Sequence, residues 1–309
     1  MAKHLANIVH CILTVLTASL IAAWVGGCSD SVSVPNILKS NRSFHQKFGL
    51  EARNFFADPD VLRLCRVIED NDLFELRGLI DAGVDVNARG KDNVTPLLWA
   101  YPDNKPERFE LLLAAGADPN VKLTGNLGVR AAFRPGESVT SKSAKSFFPK
   151  HFDLVMQYGG DPNITNEHGD PLLHQAIFFG AGDVHQRVRK LIECGADVNA
   201  LDSAGWPPTI TAIGAFQQYD VVMLLLDLGC DHTTFQQGTR RKLIHAVTAR
   251  ENRLKYHSPE EQASHQRLLQ RLIDLGEDAE AARQDNARWS NPLGATPPLV
   301  DPFKRSWEK

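Results

Sequence analysis

A short phrase returns six times along this chain at a nearly regular distance, and it limits the possible fold more than any other feature. The clear copies are IDAGVDVN ending at Asn87, LAAGADPN at Asn120, MQYGGDPN at Asn163 and IECGADVN at Asn199; LDLGCDHT and IDLGEDAE are weaker. The Asp of each copy lies at position 85, 118, 161, 197, 231 and 278, at intervals of 33, 43, 36, 34 and 47 residues. Such a period is typical of stacked structural repeats, each contacting only its neighbours.

A second motif stands upstream of several copies. VTPLLWA (94–100) keeps Thr95, Pro96 and Leu97 of a TPLH-like tetrapeptide, and GDPLLHQA (169–176) keeps Leu173 and His174; WPPTITA (206–212) and RKLIHA (241–246) are weaker. Together the two motifs resemble the ankyrin repeat, whose period is 33 residues. The resemblance implies an all-α solenoid of about six helix-turn-helix repeats with short β-turn fingers, over residues 58–285. At 309 residues and 43% hydrophobic, the chain has enough apolar material for it.

The repeated phrase predicts its own turn geometry. Its Gly, at 83, 116, 159, 195, 229 and 276, follows the second helix of a repeat, where positive φ is expected. The Asp and Asn that come next are expected to hydrogen-bond main-chain groups within the same turn.

Two repeats are longer than the others. Residues 134–147 lengthen repeat three by about ten residues, and residues 250–266 lengthen repeat six by about fourteen. We expect both insertions between the inner (first) and outer (second) helix of their repeats. They are either loops that carry a function of their own or tolerated drift, because long surface loops cost little entropy for each added residue.

Residues 1–27 have the pattern of a signal peptide. Lys3 gives a positive start, residues 8–25 are largely apolar, and Val25-Gly26-Gly27-Cys28 follows. This resembles a bacterial lipoprotein signal, in which the Cys at the first mature position is acylated. The resemblance implies lipidation of Cys28 and anchoring to the periplasm-facing cell envelope, with Ser29 favouring the outer membrane. The alternatives are an uncleaved signal anchor and an ordinary signal peptide with an incidental Cys.

The segments on either side of the repeats have different compositions. Residues 28–57 begin as a polar tether and end in FHQKFGLEARNFF, whose aromatic residues are expected to cover the apolar face of the first repeat. Residues 286–309 form a C-terminal tail with four prolines and no helical period.

The sequence contains none of the common catalytic or phosphate-binding motifs, so an enzyme is the least supported class and no cofactor is implied. His174, in the TPLH-like motif, is expected to hydrogen-bond within its repeat. His257 and His265 have no carboxylate or Cys at metal-ligand spacing. Cys65, Cys194 and Cys230 are expected to be small buried residues rather than disulfide partners.

The resemblance also implies where a partner binds. Ankyrin proteins usually meet partners through finger tips and through outward positions of the inner helices. Carried onto this sequence, those positions are Lys91, Asp92, Val94, Pro102 and Asp103 in repeat two, Asn126 and Arg134 in repeat three, Glu167, His168, Asp170, Phe178 and Phe179 in repeat four, and Ser203, Ala204 and Trp206 in repeat five. Phe178, Phe179 and Trp206 predict an exposed aromatic cluster at the centre of an interface, unless they pack within the fold.

The expected function is therefore binding of another protein, without catalysis, at the bacterial cell envelope. One specific hypothesis is an immunity protein that neutralises a toxic effector. The alternatives are a scaffold or chaperone-like component of an envelope complex, and a lipid-anchored enzyme whose site has no recognisable motif. The net charge of -3 gives no indication of a nucleic-acid partner.

Overall fold

The computed structural model describes residues 43–127, 133–179, 182–236 and 238–290. The predicted signal segment, Cys28, residues 29–42 and residues 291–309 lie outside these ranges. Among the described residues, no helix is both long enough and apolar enough to cross a membrane.

The described part of the chain is all-α, as predicted. It has no β-strand, only isolated bridges between Leu127 and Phe133 and between Thr165 and Pro171. A short helix, α1 (Phe44–Phe48), precedes six pairs, and α14 (Ala279–Ser290) follows them. The pairs are α2 (Pro59–Asp70) with α3 (Leu73–Asp81), α4 (Pro96–Ala100) with α5 (Pro106–Ala114), α6 (Val139–Ala144) with α7 (Pro149–Gln157), α8 (Leu172–Phe179) with α9 (Val184–Glu193), α10 (Pro208–Phe216) with α11 (Tyr219–Asp227), and α12 (Leu243–Thr248) with α13 (Pro259–Asp274).

The pairs stack as a two-layer solenoid. First helices pack on first helices, as α8 does on α10 and α10 on α12, while second helices pack on second helices, as α9 does on α11 and α11 on α13. One continuous apolar core runs between the layers. Local signals start many of the helices: Thr95 caps α4 by accepting a hydrogen bond from the Leu98 N–H, with Pro96 at the first helical position.

The glycines of the repeated phrase all have positive φ, as predicted, with Gly116 at 86°. The Asp also behaves as predicted, since Asp118 accepts a hydrogen bond from the Asn120 N–H at 2.8 Å within the turn. The Asn does not, because Asn120 Nδ2 donates to the Gly159 carbonyl and its Oδ1 accepts from the Asp161 N–H, both at 2.8 Å and both in the next repeat. Asn87 and Asn163 make the same two bonds to their following repeats. The prediction of local bonding was wrong for the Asn, whose side chain connects consecutive repeats.

The extra residues of repeat three lie before its inner helix, so the predicted position between the two helices was wrong. Residues 121–127 and 133–138 belong to an extended finger, and α6 itself falls within the stretch 134–147. Ser138 begins α6 through a reciprocal capping box with Ser141. The helix has the sequence VTSKSA, whose composition is more typical of a loop. Ser and Thr side chains form hydrogen bonds with nearby main-chain groups in non-helical conformations, which lowers their helix propensity. In repeat six the insertion does lie between α12 and α13, as a 3₁₀ turn (Glu251–Tyr256) and a lengthened outer helix.

Residues 43–56, here called the lead-in, pack further along the solenoid than predicted. Phe56 is buried, but the other contacts reach repeat two rather than only the first repeat. The Phe44 N–H donates to Asp103 Oδ1 at 2.6 Å, and the His45 ring stacks on Trp99 with centroids 4.1 Å apart. The Phe55 carbonyl accepts a hydrogen bond from the main-chain N–H of repeat two's Lys91 at 2.8 Å.

The other end of the solenoid is covered by α14. This helix packs on α12, and Asn286 Nδ2 donates to the His245 carbonyl at 2.9 Å. Its polar residues, including Glu280 and Arg283, remain exposed, as expected for a terminal cap. The helix continues to Ser290, so the first residues of the segment predicted as a non-helical tail from 286 are helical.

Three arginines hold the carboxyl ends of the inner helices. Their guanidinium groups donate to main-chain carbonyls in or near the last turns of these helices, where the regular intrahelical hydrogen bonds end. The acceptors are the Ile68 and Ala100 carbonyls for Arg108, the Ser143 and Ser146 carbonyls for Arg187, and the Ala246 and Ile213 carbonyls for Arg250. Each arginine therefore connects its own repeat to the preceding one.

Two histidines are fully buried without a hydrogen-bond partner among the described residues. His45 lies on Trp99, and His151 lies among Phe109 at 4.3 Å, Tyr101 at 5.3 Å and Phe148 at 5.4 Å between ring centroids. Burial lowers the pKa of each imidazole from 6.5 to about 4. Nearby Arg108 lowers both pKa values further, while Asp103 opposes the shift at His45. Both rings are therefore neutral near pH 7.

Candidate partner-binding face

The fingers and the outward side of the inner helices form one face of the solenoid, here called the finger face. In repeat two the chain itself covers this face. Val94 is fully buried, so it cannot contact a partner as predicted. Asp103 accepts hydrogen bonds from Phe44 and, at 3.0 Å, from Arg108. Its predicted role in partner binding is therefore replaced by one within the fold.

The extended finger of repeat three lies beside the finger of repeat two. The Thr124 N–H donates to the Asp92 carbonyl at 3.0 Å, and a Cβ added at Gly125 would come within 2.4 Å of the Asp92 side chain. Asp92 therefore faces the chain rather than a partner. Lys91 is exposed, as are Asn126 and Arg134 on the extended finger.

The finger of repeat four divides its predicted residues between two roles. His168 is 68% exposed beside Glu167, with His168 Nε2 and Glu167 Oε1 3.4 Å apart. Asp170 accepts hydrogen bonds from the Ser203 N–H at 3.0 Å and from Asn166 Nδ2 at 2.9 Å. Burial would raise the pKa of Asp170, but these hydrogen bonds outweigh it and hold the pKa below its usual value. Asp170 therefore connects two fingers as an ionised group, and His168 is the accessible residue.

The three aromatic residues proposed as an interface centre differ in exposure. Phe179 is 43% exposed, and Phe178 is half-buried with its ring 4.8 Å from that of Phe179. Trp206 is half-buried and packs against the core, its ring 3.9 Å from the position of a Cβ on Gly214. Gly214 occupies in α10 the position that Phe178 occupies in α8. Of the three rings, Phe179 alone is exposed, Phe178 is half-buried beside it, and Trp206 contributes to the fold.

Two further exposed residues, Phe147 and Arg241, were not among the predicted partner-binding positions. Phe147 is 79% exposed in the connection between the helices of repeat three, and Lys145, in the same connection, lies 5.7 Å from the Phe179 ring centroid. In repeat six, Arg241 stands directly before the capping residue of its inner helix, as Trp206 does in repeat five. RKLIHA matches the TPLH motif only weakly, so the sequence did not show that Arg241 and Trp206 occupy equivalent positions. The run of three cations, Arg240, Arg241 and Lys242, was the signal that could have indicated a basic surface.

His174, His265 and the cysteines contribute to the packing and hydrogen bonding of the fold. His174 Nε2 lies 2.7 Å from the Ala200 carbonyl at the end of its own repeat, as predicted, but Nδ1 lies 2.8 Å from Thr211 Oγ1 in α10 of repeat five, so this histidine also connects two repeats. His265 is buried against the Val247 carbonyl. Cys194 and Cys230 are free thiols, and Cys194 is only half-buried. Within the described ranges, no group of three or more His, Cys, Asp or Glu side chains is placed to hold a metal ion.

A family model described as ankyrin repeats matches residues 143–236 in three copies. The chain is 30% identical over 181 residues to an ankyrin repeat protein of fowlpox virus, an alignment that covers 55% of this chain and 49% of that protein. It is 29% identical over 140 residues to a protein of Danio rerio named as a palmitoyltransferase, covering 43% of this chain and 19% of that protein. The chain thus spans about half of the first relative and about a fifth of the second.

A solved structure gives the same fold. The crystal structure of an ankyrin repeat domain from Acinetobacter baumannii AYE superimposes with a TM-score of 0.53 at 22% identity, covering 67% of this chain and 95% of that one. At this identity the likeness establishes the fold alone.

Proposed function

We propose, from the premise that this chain contains ankyrin repeats and so folds as a protein-interaction solenoid, that it is a lipid-anchored protein binder of the bacterial cell envelope. Its specific role is that of an immunity protein that blocks a toxic effector. The observation that carries the binding role is the stack of six repeats, whose finger face has exposed residues such as His168 in repeat four and Ser203 in repeat five. A scaffold or chaperone-like component of an envelope complex would use the same face and is the alternative.

Support for the anchor comes from the sequence alone, through Lys3, the apolar stretch 8–25 and the Gly26-Gly27-Cys28 junction. Acyl chains on Cys28 would give stable attachment, because more than one chain exceeds the marginal binding of a single one. The protein would then face the periplasm, with the outer membrane favoured by Ser29.

Cys28→Ser tests the anchor. The variant is expected to leave the membrane fraction and to keep its unprocessed N-terminus, because the thiol that carries the lipid is gone. Fractionation with an immunoblot measures both results, and Cys65→Ser is the matched control because that thiol is buried in the solenoid. A Cys28→Ser protein that is still processed and still sediments with membranes would refute lipidation.

Phe179→Ala tests the binding face. Truncating an aromatic anchor commonly costs 2 kcal/mol or more, so capture of the partner should fall roughly thirtyfold. Because Phe179 is 43% exposed, the melting temperature should change little. Phe74→Ala is the matched control, since Phe74 is 89% exposed on the outer helix of repeat one and is expected to leave capture unchanged.

The capture experiment uses the full-length protein with a photo-crosslinker, and mass spectrometry identifies what is bound. A secreted toxic enzyme, inhibited on binding, would support the immunity role; a resident envelope protein would support the scaffold. If every protein that crosslinks to the wild type also crosslinks equally well to Phe179→Ala, the proposed binding face is wrong.

A further inference from the structure

The charged side chains of the finger face are distributed unevenly among the repeats. The lead-in and the extended finger cover it in repeat two. In repeats four and five the carboxylates of Asp170 and Asp202 accept hydrogen bonds from main-chain N–H groups, and Glu167 lies beside His168. Repeat six differs, because its finger carries a run of three cations in Arg240, Arg241 and Lys242. The open part of the face therefore ends in a basic surface.

This surface, here called the repeat-six patch, consists of Phe235, Arg240, Arg241, Lys242 and Trp289. The Arg241 guanidinium lies 5.5 Å from the Trp289 ring centroid, and Lys242 Nζ lies 5.6 Å from that of Phe235. Phe235 is 49% exposed, both arginines are exposed and Trp289 is half-buried. The aromatic rings thus support the cations from below and also present apolar surface beside them.

The turn that carries the patch has a defined main-chain geometry. The Gln236 N–H donates to the Arg241 carbonyl at 2.8 Å, and the Arg241 N–H donates to Thr239 Oγ1 at 3.0 Å. Thr239 in turn donates from its main-chain N–H to the Gln236 carbonyl at 3.0 Å. Arg240 and Arg241 are therefore displayed on a closed turn, which reduces the entropy that a partner must remove on binding.

The nearby acids do not neutralise the two arginines. Glu277 lies 3.4 Å from Lys242, and Asp285 lies 3.3 Å from Arg288 and 3.5 Å from His245. Neither Arg240 nor Arg241 lies within 4.0 Å of a carboxylate oxygen of the described residues. The patch therefore retains two guanidinium groups whose donors are available.

We propose that the repeat-six patch binds a carboxylate-rich, aromatic-containing segment of the protein partner. This inference rests on the proposed binding function and specifies its partner's chemistry. The Arg241 guanidinium lies over the Trp289 ring, and its N–H donors remain able to pair with a carboxylate in bidentate fashion. The exposed part of Phe235 provides an apolar contact beside the cations, which a purely ionic ligand would leave unused.

The chain's own tail does not have this chemistry. Residues 291–309 contain Lys304, Arg305 and Lys309 against Asp301 and Glu308, so they carry no acidic excess. Charge complementarity therefore points to another molecule. An anionic membrane would also attract cations, and lipid phosphates also pair with guanidinium groups. The exposed Phe235 ring beside the cations favours a ligand that carries both carboxylates and an aromatic side chain, so we assign the patch to an acidic protein segment.

The test uses a short fluorescein-labelled peptide of alternating Glu and Gly with one central Trp, titrated with the full-length protein and followed by fluorescence anisotropy. A peptide with Gln in place of Glu is the ligand control. The Glu peptide should bind the wild-type protein at least tenfold more tightly than the Gln peptide at about 50 mM salt, and more weakly at higher salt. Equal affinity for the two peptides would overturn the proposal.

Arg240→Glu with Arg241→Glu should weaken binding of the Glu peptide by tenfold or more. The matched double variant Arg77→Glu with Arg189→Glu makes the same change in net charge on the outer helices, where both residues are exposed, and should alter affinity less than twofold. An equal loss in both double variants would overturn the proposal by showing a general charge effect. Arg240→Gln with Arg241→Gln provides a second variant in case the charge reversal disturbs folding, and it should also weaken binding severalfold.

Two further outcomes separate the explanations. Wild-type binding to phosphatidylglycerol vesicles that is lost in the double Glu variant, without binding to the Glu peptide, would assign the patch to lipid and refute the acidic segment. A captured partner that still binds the double Glu variant with unchanged affinity would refute the inference while leaving the proposed binding function standing. If the wild-type protein captures no partner, the proposed function fails whatever the peptide does.

Discussion

Replacing Arg108 with methionine is expected to lower the free energy of unfolding by about 3 to 5 kcal/mol, the usual cost of breaking a buried ion pair from one side. Arg108 is 1% exposed and donates to the Ile68 and Ala100 carbonyls and to Asp103. Methionine fills a similar volume, but it removes the Arg108 donors from the Ile68 and Ala100 carbonyls and leaves the Asp103 carboxylate without its cation. Urea denaturation followed by circular dichroism measures the loss.

Arg77→Met is the matched control. Arg77 is exposed on α3, so its replacement should change stability by less than about 0.5 kcal/mol. Arg108→Lys should fall between the two variants, because an ammonium group keeps the charge near Asp103 but cannot reach all three acceptors. An Arg108→Met protein within about 1 kcal/mol of the wild type would contradict the capping role.

The second expected result is a loss of stability in mild acid. For His45 and His151 the folded-state pKa of about 4 lies below the ordinary value of 6.5, so the unfolded chain binds protons first as the pH falls. Their neutral form stabilises the fold fully above pH 6.5, and this contribution decreases as the pH falls toward 4. Between pH 7.5 and 5 each histidine should cost about 2 kcal/mol of unfolding free energy.

His151→Phe isolates one of these contributions. Phenylalanine fits the site between Phe109 and Tyr101 and has no proton to bind, so the variant should lose about 2 kcal/mol less than the wild type between pH 7.5 and 5. Other titrating groups cancel in this comparison. His168→Gln is the control for the removal of an exposed histidine, because His168 is 68% exposed. Parallel pH profiles for the wild type and His151→Phe would show that burial does not keep this ring neutral.

The fold was predictable because its strongest signals are local. Positive φ at Gly116 and the Asp118 turn follow from residues next to each other, and they recur with the repeat. The direction of the Asn120 side chain was not predictable in this way, since its partners, Gly159 and Asp161, lie in the following repeat. Turn residues can be read from the sequence, whereas contacts between repeats depend on how the repeats stack.

The binding face was predicted less well for a related reason. Alignment with the other repeats places Val94 and Asp103 on the open surface, but distant segments cover repeat two. Phe44 bonds to Asp103 across 59 residues, and Gly125 approaches Asp92 from the next finger. No pattern within repeat two itself indicates that these distant segments cover it. Lys91, His168 and Phe179 are exposed, and their role in binding stays a prediction.

The position of the lead-in also sets an order of events during folding. A ribosome releases the chain from its amino end, so Phe44 and His45 emerge long before Trp99 and Asp103, against which they pack. Closing a loop of this size costs entropy that only the completed second repeat can offset. The lead-in is therefore expected to dock after repeat two has formed, and until then its aromatic residues are available to targeting factors or chaperones.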